Sequence, residues 1–104
     1  MMKYNKLVRD KIPEIIRKDR KAPVFHEAGE DEYWKKLKEK LKEEAEEFLE
    51  NGSSEELVDI LEVINSICEF KKLQSKELEK LRKNKLEKRG GFGKRIILDE
   101  VREI

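Results

Sequence analysis

The chain has 104 residues, of which 47% are charged and 37% are hydrophobic, and its formal net charge is +1. This length suits one domain with a modest core, and the apolar content is too high for a disordered chain and too low for a membrane protein. The single cysteine, Cys68, and the single histidine, His26, exclude an internal disulfide and metal sites rich in cysteine or histidine. Because the N-terminus is polar and no apolar stretch could span a bilayer, we expect a cytoplasmic protein without membrane contact.

Apolar periodicity predicts a mainly α protein, a helical bundle built around an antiparallel helix hairpin, in a single domain at 1–104. In chain order, helices are predicted at 11–19, 31–50, 54–72 and 75–88. Gly52 suits the left-handed residue that ends the second helix, and Ser53 suits the N-cap of the third. Short apolar stretches near 23–26 and 95–98 predict a short two-stranded β element.

The third predicted helix is the most apolar of the four. Its apolar residues cover more than half of the circumference, which is typical of a central and mostly buried helix. They are Leu57, Val58, Ile60, Leu61, Val63, Ile64, Ile67, Cys68 and Phe70. Because one short hairpin cannot cover so wide an apolar surface, we expect a homo-oligomer, a dimer or higher, in which partner helices complete a bundle.

Charge is distributed unevenly along the chain. From Glu43 to Glu69 there are ten acidic residues and no lysine or arginine, whereas 71–95 has eleven basic and three acidic residues. Such dense like charge needs basic flanks, bound cations or solvent to offset it. The nearly neutral total and the lack of aromatic residues interleaved with the basic ones argue against a nucleic-acid-binding protein.

Four carboxylates are expected to converge on the predicted hairpin. A turn at 51–52 puts Glu47 opposite Glu56 and Glu44 opposite Asp59, and the two levels are about 4.5 Å apart along the helices. Such a cluster is costly unless its charge is neutralised. Oxygen ligands without histidine or cysteine suit a hard divalent cation, Mg²⁺ first and Mn²⁺ second.

Two simpler interpretations of these acids remain open. Glu56 lies three residues after Ser53, so it also fits a capping box at the start of the third helix. Glutamate-rich helices are common as solvated faces as well, and the spacing alone does not distinguish such a face from a metal site.

The acidic residues also fit a family pattern. Residues 43–47 fit E-E-x-x-E, and residues 56–59 fit E-x-x-D on the next helix. Together with YNKLVRDKIP at 4–13 and RGGF at 89–92, they resemble the all-α nucleoside triphosphate pyrophosphohydrolases, namely MazG-like and phosphoribosyl-ATP pyrophosphohydrolase-like proteins. The gap between the two acidic motifs is shorter here than in many members of that family.

The resemblance implies Mg²⁺-dependent hydrolysis between the α- and β-phosphates of a nucleoside triphosphate or related nucleotide, giving a monophosphate and pyrophosphate. It implies Glu43 as the base or as a helper of the metal ligands, which are Glu44, Glu47, Glu56 and Asp59. The substrate phosphates need cationic partners, and the candidates are Lys6, Arg9, Lys11, Arg89, Lys94 and Arg95. The alternative function is a non-enzymatic helical module that binds another protein.

Overall fold

A computed structural model describes residues 3–104, and the prediction of a mainly α protein is confirmed. The helices are α1 (Ile12–Lys18), α2 (Glu30–Asn51), α3 (Ser54–Phe70) and α4 (Ser75–Arg89). The chain divides into two compact units, Met1–Lys72 and Leu73–Ile104. The assignment of 1–104 to a single domain stays a prediction. Within the described residues, none of the helices is both long enough and apolar enough to cross a membrane.

Helices α2 and α3 form the hairpin that organises the first unit. Gly52 ends α2 in the left-handed conformation, with φ +63°, and its N–H donates to the carbonyl of Phe48 at 2.7 Å. Glycine adopts this conformation without the steric cost that a Cβ brings. At the far end of the hairpin, Trp34 of α2 stacks on Phe70 of α3 with ring centroids 5.2 Å apart. This contact agrees with the antiparallel register that the turn predicts.

The core of the hairpin is small. Leu37 and Val63 are the buried apolar residues among those described, at 1% and 8% exposure. The expectation that α3 is mostly buried is wrong, because Leu57, Val58 and Leu61 are 47–61% exposed. A helix that is apolar over most of its circumference needs more than one neighbour, and α2 covers only one side of it.

The segment that precedes α1 is tied to the hairpin by polar contacts. Lys36 of α2 donates from Nζ to the backbone carbonyl of Asn5 at 2.8 Å. Lys6 and Arg9 then make ion pairs with residues of α2 and α3, respectively. These contacts hold a non-helical stretch of chain against the hairpin where its acidic residues lie.

The second unit contains α4 and the residues that follow it. No residue of α4 is buried, and its best-formed polar contact joins Arg82 to Glu79, with nitrogen–oxygen distances of 2.6–3.1 Å. Gly90 ends the helix with φ +78°. This helix therefore depends on local contacts more than on packing.

The predicted β element is wrong: residues 23–26 and 95–98 form no strand in the structure of 3–104. Val24 is 99% exposed, and Ile96, Ile97 and Leu98 are 75–80% exposed. A two-stranded ribbon is marginal on its own and forms when one of its faces packs on a core. Neither stretch has such packing, so the short apolar runs that predicted strands do not form them.

Candidate metal centre

Two turns of α2 and the first two turns of α3 supply a cluster of carboxylates. One carboxylate oxygen from each of Glu44, Glu56 and Asp59 lies within 4.8 Å of the other two. The left-handed turn at Gly52 folds α3 back along α2, and this brings residues twelve and fifteen positions apart in the chain to neighbouring sites. The convergence that the hairpin register predicts is therefore present for these three side chains.

Glu44 is the buried member of the cluster. It is 6% exposed, and its Oε2 has no hydrogen-bond partner among the described residues, as is also true of Oε2 of Glu56. Its other oxygen lies 3.3 Å from Nζ of Lys40, one helical turn earlier on α2. Buried carboxylate oxygens are normally paired, so these two unpaired oxygens are free to accept a further electropositive partner.

Glu47, the fourth ligand that the sequence predicts, is not in this group of three but interacts with Glu56 and Glu44. A hydrogen bond shared with Glu56 is the largest cause that raises the pKa of Glu47, followed by desolvation and by the charges of Glu56 and Glu43. Its hydrogen bond with Glu44 acts in the opposite direction. The neighbouring carboxyl groups therefore favour the protonated form of Glu47 relative to a free glutamate.

Glu43 lies at the edge of the cluster, where lysines hold it. Nζ of Lys6 donates to its Oε1 at 2.8 Å, and Nζ of Lys40 is 3.4 Å from its Oε2. The hydrogen bond from Lys6 is the main reason that the pKa of Glu43 is lowered, with the charges of both lysines adding to it. A carboxylate with a lowered pKa is a weak proton acceptor, so this geometry suits an anchor for the two lysines better than it suits a base.

Arg9 pairs with the α3 side of the cluster. Its Nη2 donates to Oδ1 of Asp59 at 2.7 Å, and this hydrogen bond is the largest cause that raises the pKa of Arg9. The charges of Glu62 and Glu44 act on it in the same direction. Lys6 and Arg9, which the sequence predicts as partners of phosphate, are here the counterions of the acidic residues.

The other predicted phosphate partners are not part of this cluster. Lys11 is exposed at the N-cap of α1, and Arg89, Lys94 and Arg95 are exposed in the second unit. None of the four makes an ion pair within residues 3–104. Their role toward a phosphate stays a prediction.

Sequence reasoning missed Lys40. It precedes Glu43 and Glu44 by three and four positions on α2, which is the spacing of ion pairs on one helical face, and this signal could have identified it. The capping-box interpretation of Glu56 finds no support, because Ser53 makes no side-chain cap hydrogen bond and Glu56 belongs to the acidic cluster.

The donor set fits a hard divalent cation. Five carboxylates lie together here: Glu44, Glu56 and Asp59 form the cluster, Glu47 interacts with Glu56, and Glu43 shares Lys40 with Glu44. Three cationic side chains pair with them, Lys6, Arg9 and Lys40. When all are ionised, two negative charges remain, which is the charge that one divalent ion neutralises. Carboxylate oxygens without nitrogen or sulfur ligands favour Mg²⁺ or Mn²⁺.

Comparisons with known proteins found a relative that matches part of the chain. No family model matches the chain, and no solved structure matches it. An uncharacterized protein of Mycolicibacterium smegmatis is 50% identical over 42 residues, which are 40% of this chain and 43% of that protein. The chain therefore spans less than half of the length of that relative.

Proposed function

We propose that this protein is a Mg²⁺-dependent nucleotide pyrophosphohydrolase of the MazG-like, phosphoribosyl-ATP pyrophosphohydrolase-like kind. It cleaves a nucleoside triphosphate or related nucleotide between the α- and β-phosphates and releases a monophosphate and pyrophosphate. The observation that supports this proposal most is the convergence of three carboxylates within 4.8 Å around the buried and partly unpaired Glu44.

Glu44, Glu47, Glu56 and Asp59 are the residues that would hold the metal. When bound, Mg²⁺ or Mn²⁺ neutralises phosphate charge and lowers the pKa of a coordinated water, which is the chemistry that phosphate hydrolysis needs. The chain itself orients these ligands by the α2–α3 register and by Lys40, which fixes one oxygen of Glu44 at 3.3 Å. Glu43 keeps Lys6 and Lys40 in place beside the site.

The decisive experiment compares two glutamates one position apart on α2. Glu47→Gln removes a proposed metal ligand and should abolish Mg²⁺-dependent release of pyrophosphate from a panel of nucleoside triphosphates while leaving the far-UV circular dichroism unchanged. Glu46→Gln is the matched control, because the Glu46 side chain is 61% exposed and its ion pair is a long one, 3.9 Å, with the exposed Lys42. Equal pyrophosphate release by both variants would contradict the proposal.

The resemblance also predicts that Lys94 and Arg95 contact the substrate phosphates. Lys94 and Arg95 follow a glycine-rich bend and are exposed, so an anion can reach them. Lys94→Glu should raise the KM for the nucleotide and leave kcat nearly unchanged. An unchanged KM would remove Lys94 from the substrate site.

We also propose that the chain associates with a second copy through the outer face of α3. Leu57, Val58 and Leu61 lie on the side of α3 away from α2 and are 47–61% exposed. Exposed apolar stripes of this kind mark association surfaces. A second copy would bury this stripe and give the hairpin the extra neighbour that its small core lacks.

The alternative, a non-enzymatic helical module that binds another protein, makes the opposite prediction for the acidic residues. In such a module the cluster binds no Mg²⁺, and most changes from acid to amide stabilise the fold by relieving repulsion, with or without the ion. Isothermal titration with Mg²⁺ therefore separates the two functions without a known substrate.

A further inference from the structure

The N-terminal segment places two cations on opposite sides of the acidic cluster. Lys6 binds Glu43 of α2 at 2.8 Å, and three residues later Arg9 binds Asp59 of α3 at 2.7 Å. The carbonyl of Asn5 is fixed to α2 by Lys36, so the backbone of this segment has an anchor of its own. The two cationic side chains can thus leave the acids without releasing the segment.

Lys6 and Arg9 differ from the third cation of the cluster in exposure. Their side chains are 41% and 54% exposed, whereas that of Lys40 is 17% exposed and lies on α2 itself. Swinging an exposed side chain into solvent costs little, because a surface ion pair contributes about 0–1 kcal/mol. Lys40, by contrast, is mostly buried and pairs with residues of its own helix, so we expect it to stay in place.

The charges of the cluster limit how many divalent ions it can take. With all three cations in place, the five carboxylates retain two negative charges, which one divalent ion neutralises. A second ion would make the site positively charged unless Lys6 and Arg9 leave it. In addition, Arg9 donates to Oδ1 of Asp59, which is a carboxylate of the three-residue cluster.

We propose that Lys6 and Arg9 restrict the acidic cluster to one divalent cation until a polyphosphate draws these two side chains away and allows a second cation to bind. This inference rests on the metal site of the proposed function and adds to it a role for the N-terminal segment. The guanidinium group of an arginine binds two phosphate oxygens at once. A polyphosphate also offers Lys6 and Arg9 more negative charge than two carboxylates do. Lys6 and Arg9 then serve as counterions in the free protein and as phosphate ligands in the complex.

The test counts bound Mn²⁺ by equilibrium dialysis in the absence of nucleotide, so it does not depend on activity. The wild-type chain should bind one ion. The double variant Lys6→Gln/Arg9→Gln should bind two, with an affinity for the second ion about tenfold or more above that of the wild type, because two positive charges are gone from its surroundings. The conservative variant Lys6→Arg/Arg9→Lys should bind one.

A matched control removes two positive charges elsewhere. Arg17 and Lys18 lie in the last turn of α1 and are exposed, and neither contacts the acidic cluster. Arg17→Gln/Lys18→Gln should therefore still bind one ion. This control separates the local effect of Lys6 and Arg9 from a change in net charge alone.

Two results would overturn the inference: two ions on the wild-type chain without nucleotide, or one ion on the Lys6→Gln/Arg9→Gln variant with unchanged helicity. The wild-type count requires no variant to fold. In either case the proposed metal site would stand. Failure of the proposed function gives a different pattern, in which no variant binds Mn²⁺ and Glu47→Gln changes nothing.

Discussion

The Glu44→Gln variant should be more stable than the wild type without Mg²⁺ and less stable than the wild type with Mg²⁺. Glu44 is 6% exposed, and its carboxylate lies within 4.8 Å of those of Glu56 and Asp59. At an effective dielectric constant of about 20, each such pair of unit charges repels by about 3.5 kcal/mol or more. The amide keeps the shape of the side chain and removes both repulsions.

One attraction opposes this gain. Nζ of Lys40 lies 3.3 Å from Glu44, and the same dielectric constant gives this pair about 5 kcal/mol. Lys40 keeps Glu43 as a partner in the variant, so it is not left unpaired. Because Arg9 offsets part of the charge of Asp59, the difference leaves the metal-free Glu44→Gln variant more stable by at most about 2 kcal/mol, which raises Tm by several degrees for a domain of this size.

Adding Mg²⁺ should reverse the order. A ligand at a hundred times its Kd stabilises the folded state by about 2.7 kcal/mol, and the wild type should gain this whereas the variant should not. Thermal unfolding followed by circular dichroism, with and without Mg²⁺, measures both effects. Glu46→Gln should behave as the wild type does in both conditions. If Glu44→Gln melts below the wild type without the ion, or if Mg²⁺ raises the Tm of both equally, the metal-site reasoning fails.

Three further predictions follow from individual residues. Because the pKa of Glu47 is raised in the folded protein, protonated Glu47 stabilises the metal-free fold, and this stabilisation is lost as pH rises from the ordinary glutamate pKa through the raised one. Protons compete with the cation in the same pH window, so the Mg²⁺ affinity measured by calorimetry should fall as pH is lowered through it. Leu61→Glu should convert a dimer to a monomer in sedimentation velocity; a wild type that is already monomeric would exclude the α3 interface. Gly52→Ala should lower the unfolding free energy by about 1 kcal/mol, because φ is +63° there. An unchanged urea midpoint would argue against that turn.

The hairpin could be predicted because its signals are local. The apolar spacing of α2 and α3, and a glycine at the one position that needs a left-handed backbone, set both helices and their register. Since the register follows from the turn, the proximity of Glu44 and Asp59 follows as well. The strands predicted near 23–26 and 95–98 are absent from the described residues, because a strand also requires a partner and a face to pack on, which a local apolar run does not supply.

Composition and spacing alone determined that the chain is helical, where α2 turns into α3, and that carboxylates gather beside this turn. Only the tertiary structure decided which groups neutralise them. Lys6 and Arg9 lie more than thirty residues from their acidic partners in the chain, so no periodicity connects them. The burial of Glu44 and the exposure of Leu57, Val58 and Leu61 likewise depend on which neighbours fold against each helix, and that is a property of the whole chain in space.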